Sequence, residues 1–164
     1  NKFVIFAGSN FYANINGIRW YINNVVPFIN IKTYFIGKNL KQVNFTRNSK
    51  IIFKGYVKNL SAWYKKSLFV VAPILDGSGM KTKVAESLMH GKIIIGSKEA
   101  FVGYEKFENK IGKKCISEKD FINTINIFSK KKYFNYSPNL RKIYIKNYSD
   151  ISMKNHFQKL FNKI

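Results

Sequence analysis

The stretch P-I-L-D-G-S-G-M-K-T-K-V-A-E-S-L-M-H-G-K-I-I-I-G-S, Pro73 to Ser97, reads as loop, helix and strand in succession. Gly77 and Gly79 permit a tight turn and a close backbone approach. From Lys81 to His90, Val84 aligns with Leu88 and Ala85 with Met89 at the i,i+4 spacing of a helix. Gly91 follows as a helix stop at C′. Lys92–Gly96 is then short and apolar, as is Leu68–Ala72 just before the loop. Two apolar strands flanking one helix make a strand–helix–strand unit, whose strands lie parallel and buried.

The pattern extends outward. Lys2–Ala7, Lys32–Ile36 and Lys50–Phe53 are further strand candidates, bounded by Gly, Pro or Asn. Helical patterns lie between them. In Asn16–Ile29 the residues Ile18, Ile22, Val25, Val26 and Ile29 share one face, and Pro27 bends or shortens the last turn. Asn59–Lys66 carries Leu60, Trp63 and Tyr64, and the aromatics Trp20, Trp63 and Tyr64 read as core. The alternation predicts an α/β fold, a parallel sheet with helices on both faces. Beyond Gly103 the pattern becomes helical with little strand: Glu118–Phe128, Pro138–Asn147 with Ser137 as cap, and Ile151–Ile164.

At 164 residues the chain suits one domain, and 46% hydrophobic content excludes a disordered chain. No apolar run approaches the roughly 18–20 residues of a membrane-spanning helix. The chain opens directly in a strand-like run without the layout of a signal segment. Lone Cys115 cannot form an internal disulfide, reads as a small packing residue, and fits a reducing cytosol. The net charge of +21 would attract nucleic acid, anionic lipid or phosphorylated ligands. It is spread over strands, helices and loops, however, and only Lys130-Lys131-Lys132 forms a run of three. Interleaved basic and aromatic motifs of RNA-binding modules are missing, so no specific nucleic-acid partner is expected.

Ligands of open parallel sheets sit beyond the carboxyl ends of the strands. Two loops qualify: Gly8-Ser9-Asn10-Phe11-Tyr12-Ala13-Asn14 and Pro73–Lys83. In the second, the helix start after Gly77 and Gly79 presents free N–H groups and a positive dipole end. Lys81 and Lys83 add two cations there, which together suit a diphosphate. Glu86, one turn inside the helix, is a carboxylate able to accept from a ribose diol. Spacing alone equally allows a plain glycine turn with Lys83 and Glu86 as an ordinary surface pair. Neither a Walker loop nor a G-x-G-x-x-G fingerprint occurs. His90 and His156 are isolated and read as surface or helix-end residues, and no residues have the spacing of a metal-ligand set.

Taken together, Pro73–Ser97, G-S-N-F-Y-A-N-I-N-G-I-R-W-Y (Gly8 to Tyr21), F-K-G-Y-V-K-N-L-S-A-W-Y (Phe53 to Tyr64) and A-F-V-G-Y-E (Ala100 to Glu105) resemble, in order, the donor-site blocks of family 4 retaining glycosyltransferases. The resemblance covers about the first two thirds of the chain. It implies a GT-B fold, with this chain as the Rossmann-like C-terminal half: residues 1–164 would form the nucleotide-sugar-binding domain, with a helical C-terminal tail, and the N-terminal acceptor domain is absent from the sequence. It further implies that Glu86 contacts the ribose. Gly77, Ser78, Gly79, Met80, Lys81, Thr82 and Lys83 would lie along the diphosphate and sugar, with Gly8, Ser9 and Asn14 in the first loop and Gly55, Tyr56 and Val57 near the base. The chain departs from the family where a glutamate is common eight residues before Glu86; Ser78 stands there. Ser9 and Asn14 likewise occupy positions where many members place Arg and Lys. Lys81 and Lys83 are therefore expected to have taken over phosphate neutralisation.

The implied activity is retaining transfer of a sugar from a nucleotide-diphosphate sugar to a glycan or lipid-linked acceptor, such as in polysaccharide biosynthesis, without cofactor or metal. No catalytic residue is assigned, and the chain alone should bind donor without turnover. It would act in the cytoplasm, with peripheral contact to the anionic inner membrane face. A GT-B-like sugar-nucleotide epimerase and a basic nucleic-acid-binding α/β domain are the competing readings.

Overall fold

The computed structural model describes residues 2–131 and 136–161, with the side chains of residues 156 and 159–161 outside the description. Lys132, the His156 side chain and the end of the expected Ile151–Ile164 helix therefore lie outside the described residues. Six strands form one sheet: β1 (Phe3–Ala7), β2 (Lys32–Ile36), β3 (Ile51–Gly55), β4 (Val70–Ala72), β5 (Ile94–Ser97) and β6 (Gly112–Cys115). All neighbours are parallel, in the order β3-β2-β1-β4-β5-β6. This is the Rossmann-like doubly wound order, in which connections reverse direction between β1 and β4. The helices are α1 (Tyr12–Asn24), α2 (Leu60–Lys66), α3 (Thr82–Met89), α4 (Glu108–Ile111), α5 (Glu118–Lys130), α6 (Pro138–Asn147) and α7 (Asp150–Phe161).

The central strands β1, β4 and β5 are buried on both faces, which explains their continuous apolar sequence. On one face Phe6 packs on Phe35, which meets Tyr21 of α1, and Trp20 and Tyr21 meet Phe121 of α5. On the other, Ile5, Ala7, Ile36 and Val70 form a cluster with Tyr64 of α2. Helix α3 lies beside α2 on this second face, joined through Tyr64, which stacks on His90 at 4.7 Å. Helix α6 packs on α3, with Arg141 donating to the Met89 carbonyl at 2.8 Å. Lys92, fully buried at the entry to β5, donates to the carbonyls of Lys65 (3.0 Å) and Ser67 (2.6 Å), so a cation closes the carboxyl end of α2.

The expected Ser137 cap and Gly91 stop are present, and Asn59 adds a further cap. Asn59 accepts from the Ala62 amide, Ser137 accepts from the Leu140 amide ahead of Pro138, and Gly91 takes φ 61° after α3. Pro27 ends α1 as expected: the helix stops at Asn24 and a 3-10 turn spans Val26–Phe28. Several boundaries differ, β3 (Ile51–Gly55) and β5 (Ile94–Ser97) among them, and one strand was not expected. Helix α1 begins at Tyr12, not Asn16, so Tyr12, Ala13 and Asn14 are helical rather than loop. Strand β4 begins at Val70, not Leu68. Strand β6, with the sequence Gly-Lys-Lys-Cys, lies in the region expected to hold little strand; its lysines tolerate the exposure of a sheet edge, which hides its apolar signal. No described helix is long and apolar enough to cross a membrane.

Two glycines fix how the elements meet at the carboxyl edge of the sheet. A Cβ on Gly17, inside α1, would stand 1.8 Å from the Pro73 carbonyl oxygen. A Cβ on Gly37, after β2, would stand 1.8 Å from the Gly8 carbonyl oxygen. Both contacts involve backbone, which cannot rotate away. Gly17→Ala is therefore expected to destabilise the fold by about 1–3 kcal/mol, as overpacking does, although Ala is favoured over Gly in a helix by roughly 1 kcal/mol. A urea melt decides between them; a gain in midpoint would mean α1 is not seated against Pro73.

Candidate nucleotide-binding crevice

The crevice opens where the topology reverses, over the ends of β1 and β4. Strand β1 runs into Gly8, whose amide donates to the Ile36 carbonyl at 2.9 Å, while Asn10 donates to the Lys38 carbonyl at 3.0 Å. The first loop is thus pinned to the exit of β2. Strand β4 runs into the Pro73–Lys81 loop and then α3. One cavity of about 360 Å³ is lined by Gly8, Ser9, Asn14, Tyr56, Val57, Thr82, Lys83 and Glu86, together with Ala7, Ile36, Gly37 and Leu60. A second, of about 240 Å³, is lined by Phe11, Tyr12, Ala13, Ile74, Asp76, Gly77, Ser78, Met80 and Lys81, and shares Asn14, Thr82 and Lys83 with the first. Gly55 and Gly79 line neither; both have φ 70° and shape the turns that bring their neighbours in.

Lys83 stands between the two cavities. Its ammonium donates to Asn14 Oδ1 at 2.8 Å and lies 4.9 Å from the centre of the Phe6 ring. Burial lowers its pKa to about 8, an effect partly offset by the charge of Glu86 and reinforced by Lys81. A buried cation held on one amide oxygen and one aromatic face gains strongly from an incoming anion.

Lys81 behaves otherwise. Its ammonium donates to the carbonyls of Gly77 (3.2 Å) and Gly79 (2.7 Å) and pairs with Glu99 at 2.9 Å. The two lysines are held differently: Lys81, on the wall of the smaller cavity, clasps the glycine loop, and Lys83 stands between both cavities. The clasp is locked from outside by the turn after β5. Tyr104 donates to the Lys81 carbonyl at 3.0 Å, and Met80 lies over Gly103, where a Cβ would come 2.2 Å from Met80 Cγ.

Glu86, half-buried on the first turns of α3, accepts from the Tyr64 hydroxyl at 2.9 Å on Oε2. The Tyr64 phenol is held well above its usual pKa by burial first and then by Glu86, so it remains a donor. Sequence reading assigned Tyr64 to the core, correctly, but missed this bond; nothing in the spacing of α2 and α3 could disclose it. Gly17, Gly37 and Leu60 were also missed. Among the described residues, no three His, Cys, Asp or Glu side chains converge as metal ligands. His90 sits at the end of α3, and neighbouring cations reinforce the burial that lowers its pKa.

Several solved structures share this architecture. HepE from Anabaena, solved with UDP and glucose, superposes with a TM-score of 0.73 at 11% identity, over 100% of this chain and 49% of its own. TarM from S. aureus, solved with UDP among its ligands, gives 0.72 at 17% identity, over 98% of this chain and 35% of its own. The C-terminal domain of the group 1 glycosyl transferase LpcC from Francisella tularensis gives 0.60 at 15% identity, over 90% of this chain and 87% of that domain. The chain thus spans about half, or less, of the length of the longer proteins it matches. A search of the curated proteins finds no match. The family model described as glycosyl transferases group 1 matches residues 1–122, a span that contains all six strands and both loops of the crevice. With a sheet of GT-B type and a family match over most of its length, the chain belongs to the group 1 glycosyl transferases.

Proposed function

We propose that this chain supplies the donor half of a retaining glycosyltransferase, binding a nucleotide-diphosphate sugar in the crevice between β1 and β4. The observation that carries the reading is the convergence of a buried cation, Lys83, and a carboxylate, Glu86, on one cavity roofed by the Gly8–Ser9 turn. The carboxylate suits the ribose hydroxyls, as an acceptor-only group facing a diol. Lys83 and the amides at the start of α3 suit the diphosphate, whose charge grows as the sugar departs. This reading assigns no metal or cofactor to the leaving group, because a protein cation already stands there. The base would lie against Tyr56 and Val57, and the sugar in the smaller cavity beside Asp76, Gly77, Ser78 and Met80. HepE and TarM, both solved with UDP, support a nucleotide as the ligand of a related fold.

Retention, by attack on the face the leaving group vacates, and an acceptor that is a glycan or a lipid-linked glycan belong to the same proposal. So does a second domain carrying the acceptor, with the enzyme working in the cytoplasm at an anionic membrane surface that the +21 charge would favour. Without that domain, the chain binds donor and turns nothing over.

Calorimetric titration with UDP, GDP and ADP at moderate salt tests the donor site. One nucleotide is expected to bind selectively, and Glu86→Ala to weaken it by about 1.5–3 kcal/mol, the worth of hydrogen bonds to a charged group. Equal weak binding of all three, insensitive to the substitution and abolished by salt, would sink the reading in favour of unspecific attraction to the basic surface.

The role of Lys83 predicts a pH profile. The free domain loses the Lys83 proton near pH 8, whereas a bound diphosphate holds it, so binding takes up a proton above that pH. Affinity is expected to fall by up to about tenfold per pH unit between pH 8 and 9.5. In Lys83→Arg, whose guanidinium stays charged throughout, the profile should be flat. A flat wild-type profile would remove Lys83 from the diphosphate site.

A further inference from the structure

We propose that Tyr64 is the positioning residue of the ribose grip: by donating its hydroxyl to Glu86 Oε2, it aims the carboxylate so that Oε1 meets the ribose diol. This inference rests on the donor-site reading and goes beyond it by placing the selectivity for a ribonucleotide in a residue that does not line the cavity. A glutamate side chain on an open crevice wall has several rotamers, and ordering it on binding costs free energy. Here the ordering is done in advance. The Tyr64 ring is 1% exposed and packed with Ile5, Ala7, Ile36 and Val70. Its outer face stacks on the His90 imidazole at 4.7 Å and 19°. A ring so enclosed cannot swing, so its hydroxyl is a fixed donor at 2.9 Å from Glu86.

The same residue joins two walls of the crevice. Tyr64 lies on α2, four residues after Leu60, which lines the cavity beside Val57. Val57 and Leu60 pack against the cluster that holds the Tyr64 ring. The base-side loop and the ribose carboxylate are thus registered to each other through one phenol.

The test is binding of UDP, GDP and ADP, each beside its 2′-deoxy and 3′-deoxy form, to wild type, Tyr64→Phe, Glu86→Gln and the double variant. Tyr64→Phe keeps the ring and removes only the donor. Wild type should prefer the ribonucleotide by about ten- to a hundredfold, the worth of a hydrogen bond to a charged group. Tyr64→Phe should reduce that preference to near unity by weakening the ribo form and sparing the deoxy forms. In the Glu86→Gln background, the same substitution should add little, since coupled residues are not additive. Equal weakening of ribo and deoxy forms would show a merely structural role and overturn the proposal, as would an unchanged preference in Tyr64→Phe. If wild type itself does not discriminate and Glu86→Gln matches it, the donor-site reading fails and this inference falls with it. A thermal melt of Tyr64→Phe confirms that each comparison is made on folded protein.

Discussion

Two places where backbone touches backbone with no room for a side chain set the geometry of this domain. Gly17 lets α1 settle against the Pro73 carbonyl, and Gly37 lets the exit of β2 close on the Gly8 carbonyl. The first contact brings the α1 residue Asn14 to the mouth of the loop after β4. The second holds the β1 exit turn down. Only with both in place can Lys83, on α3, reach Asn14 across the topological reversal. The chemistry of the crevice depends on packing that carries no chemistry of its own.

The strongly basic composition conceals a division of labour. Most of the lysines lie on the surface, where water screens them and an individual charge is worth little. Lys92 closes the end of α2, Lys81 ties the glycine loop to itself and to Glu99, and Lys83 alone of these three lines both cavities of the crevice. Position in the fold, rather than charge, separates structure from function. The clasp also shows how a loop with two glycines in the left-handed region can be held in order: Lys81 satisfies its carbonyls from inside and Tyr104 anchors its end.

Much of this was readable from sequence. The strands β1 and β2 are short β-rich runs with clear boundaries, and the helices α3 and α6 announced themselves through their periodicity, Gly91, Ser137 and Pro138. Most crevice residues were legible because glycines, lysines and a glutamate gather within ten positions, Gly77 to Glu86. What stayed hidden required the third dimension. The Gly-Lys-Lys-Cys strand lacks an apolar run because it sits at an edge. The early start of α1 at Tyr12 has no side-chain cap to mark it. The different fates of Lys81 and Lys83 depend on Glu99 and Asn14, distant in sequence, and Tyr64 lies 22 residues from the carboxylate it touches. Periodicity speaks for neighbours along one element and is silent about such meetings.

The seam between β1 and β4 is slender. Ile5 pairs with Val70, and the Leu68 amide donates to the Phe3 carbonyl, whereas β1 and β2 pair along all five residues from Phe3 to Ala7. During synthesis, β1, β2 and β3 emerge first and can pair locally; closing the seam must wait for a strand far along the chain, the kind of contact whose entropy cost delays folding. A nascent chain halted before Thr82 owns the Gly8 turn and Asn14 but neither Lys83 nor Glu86. The crevice is therefore assembled at the joining of the sheet that spans the most sequence, and its two walls come together only when the two halves of the domain have met.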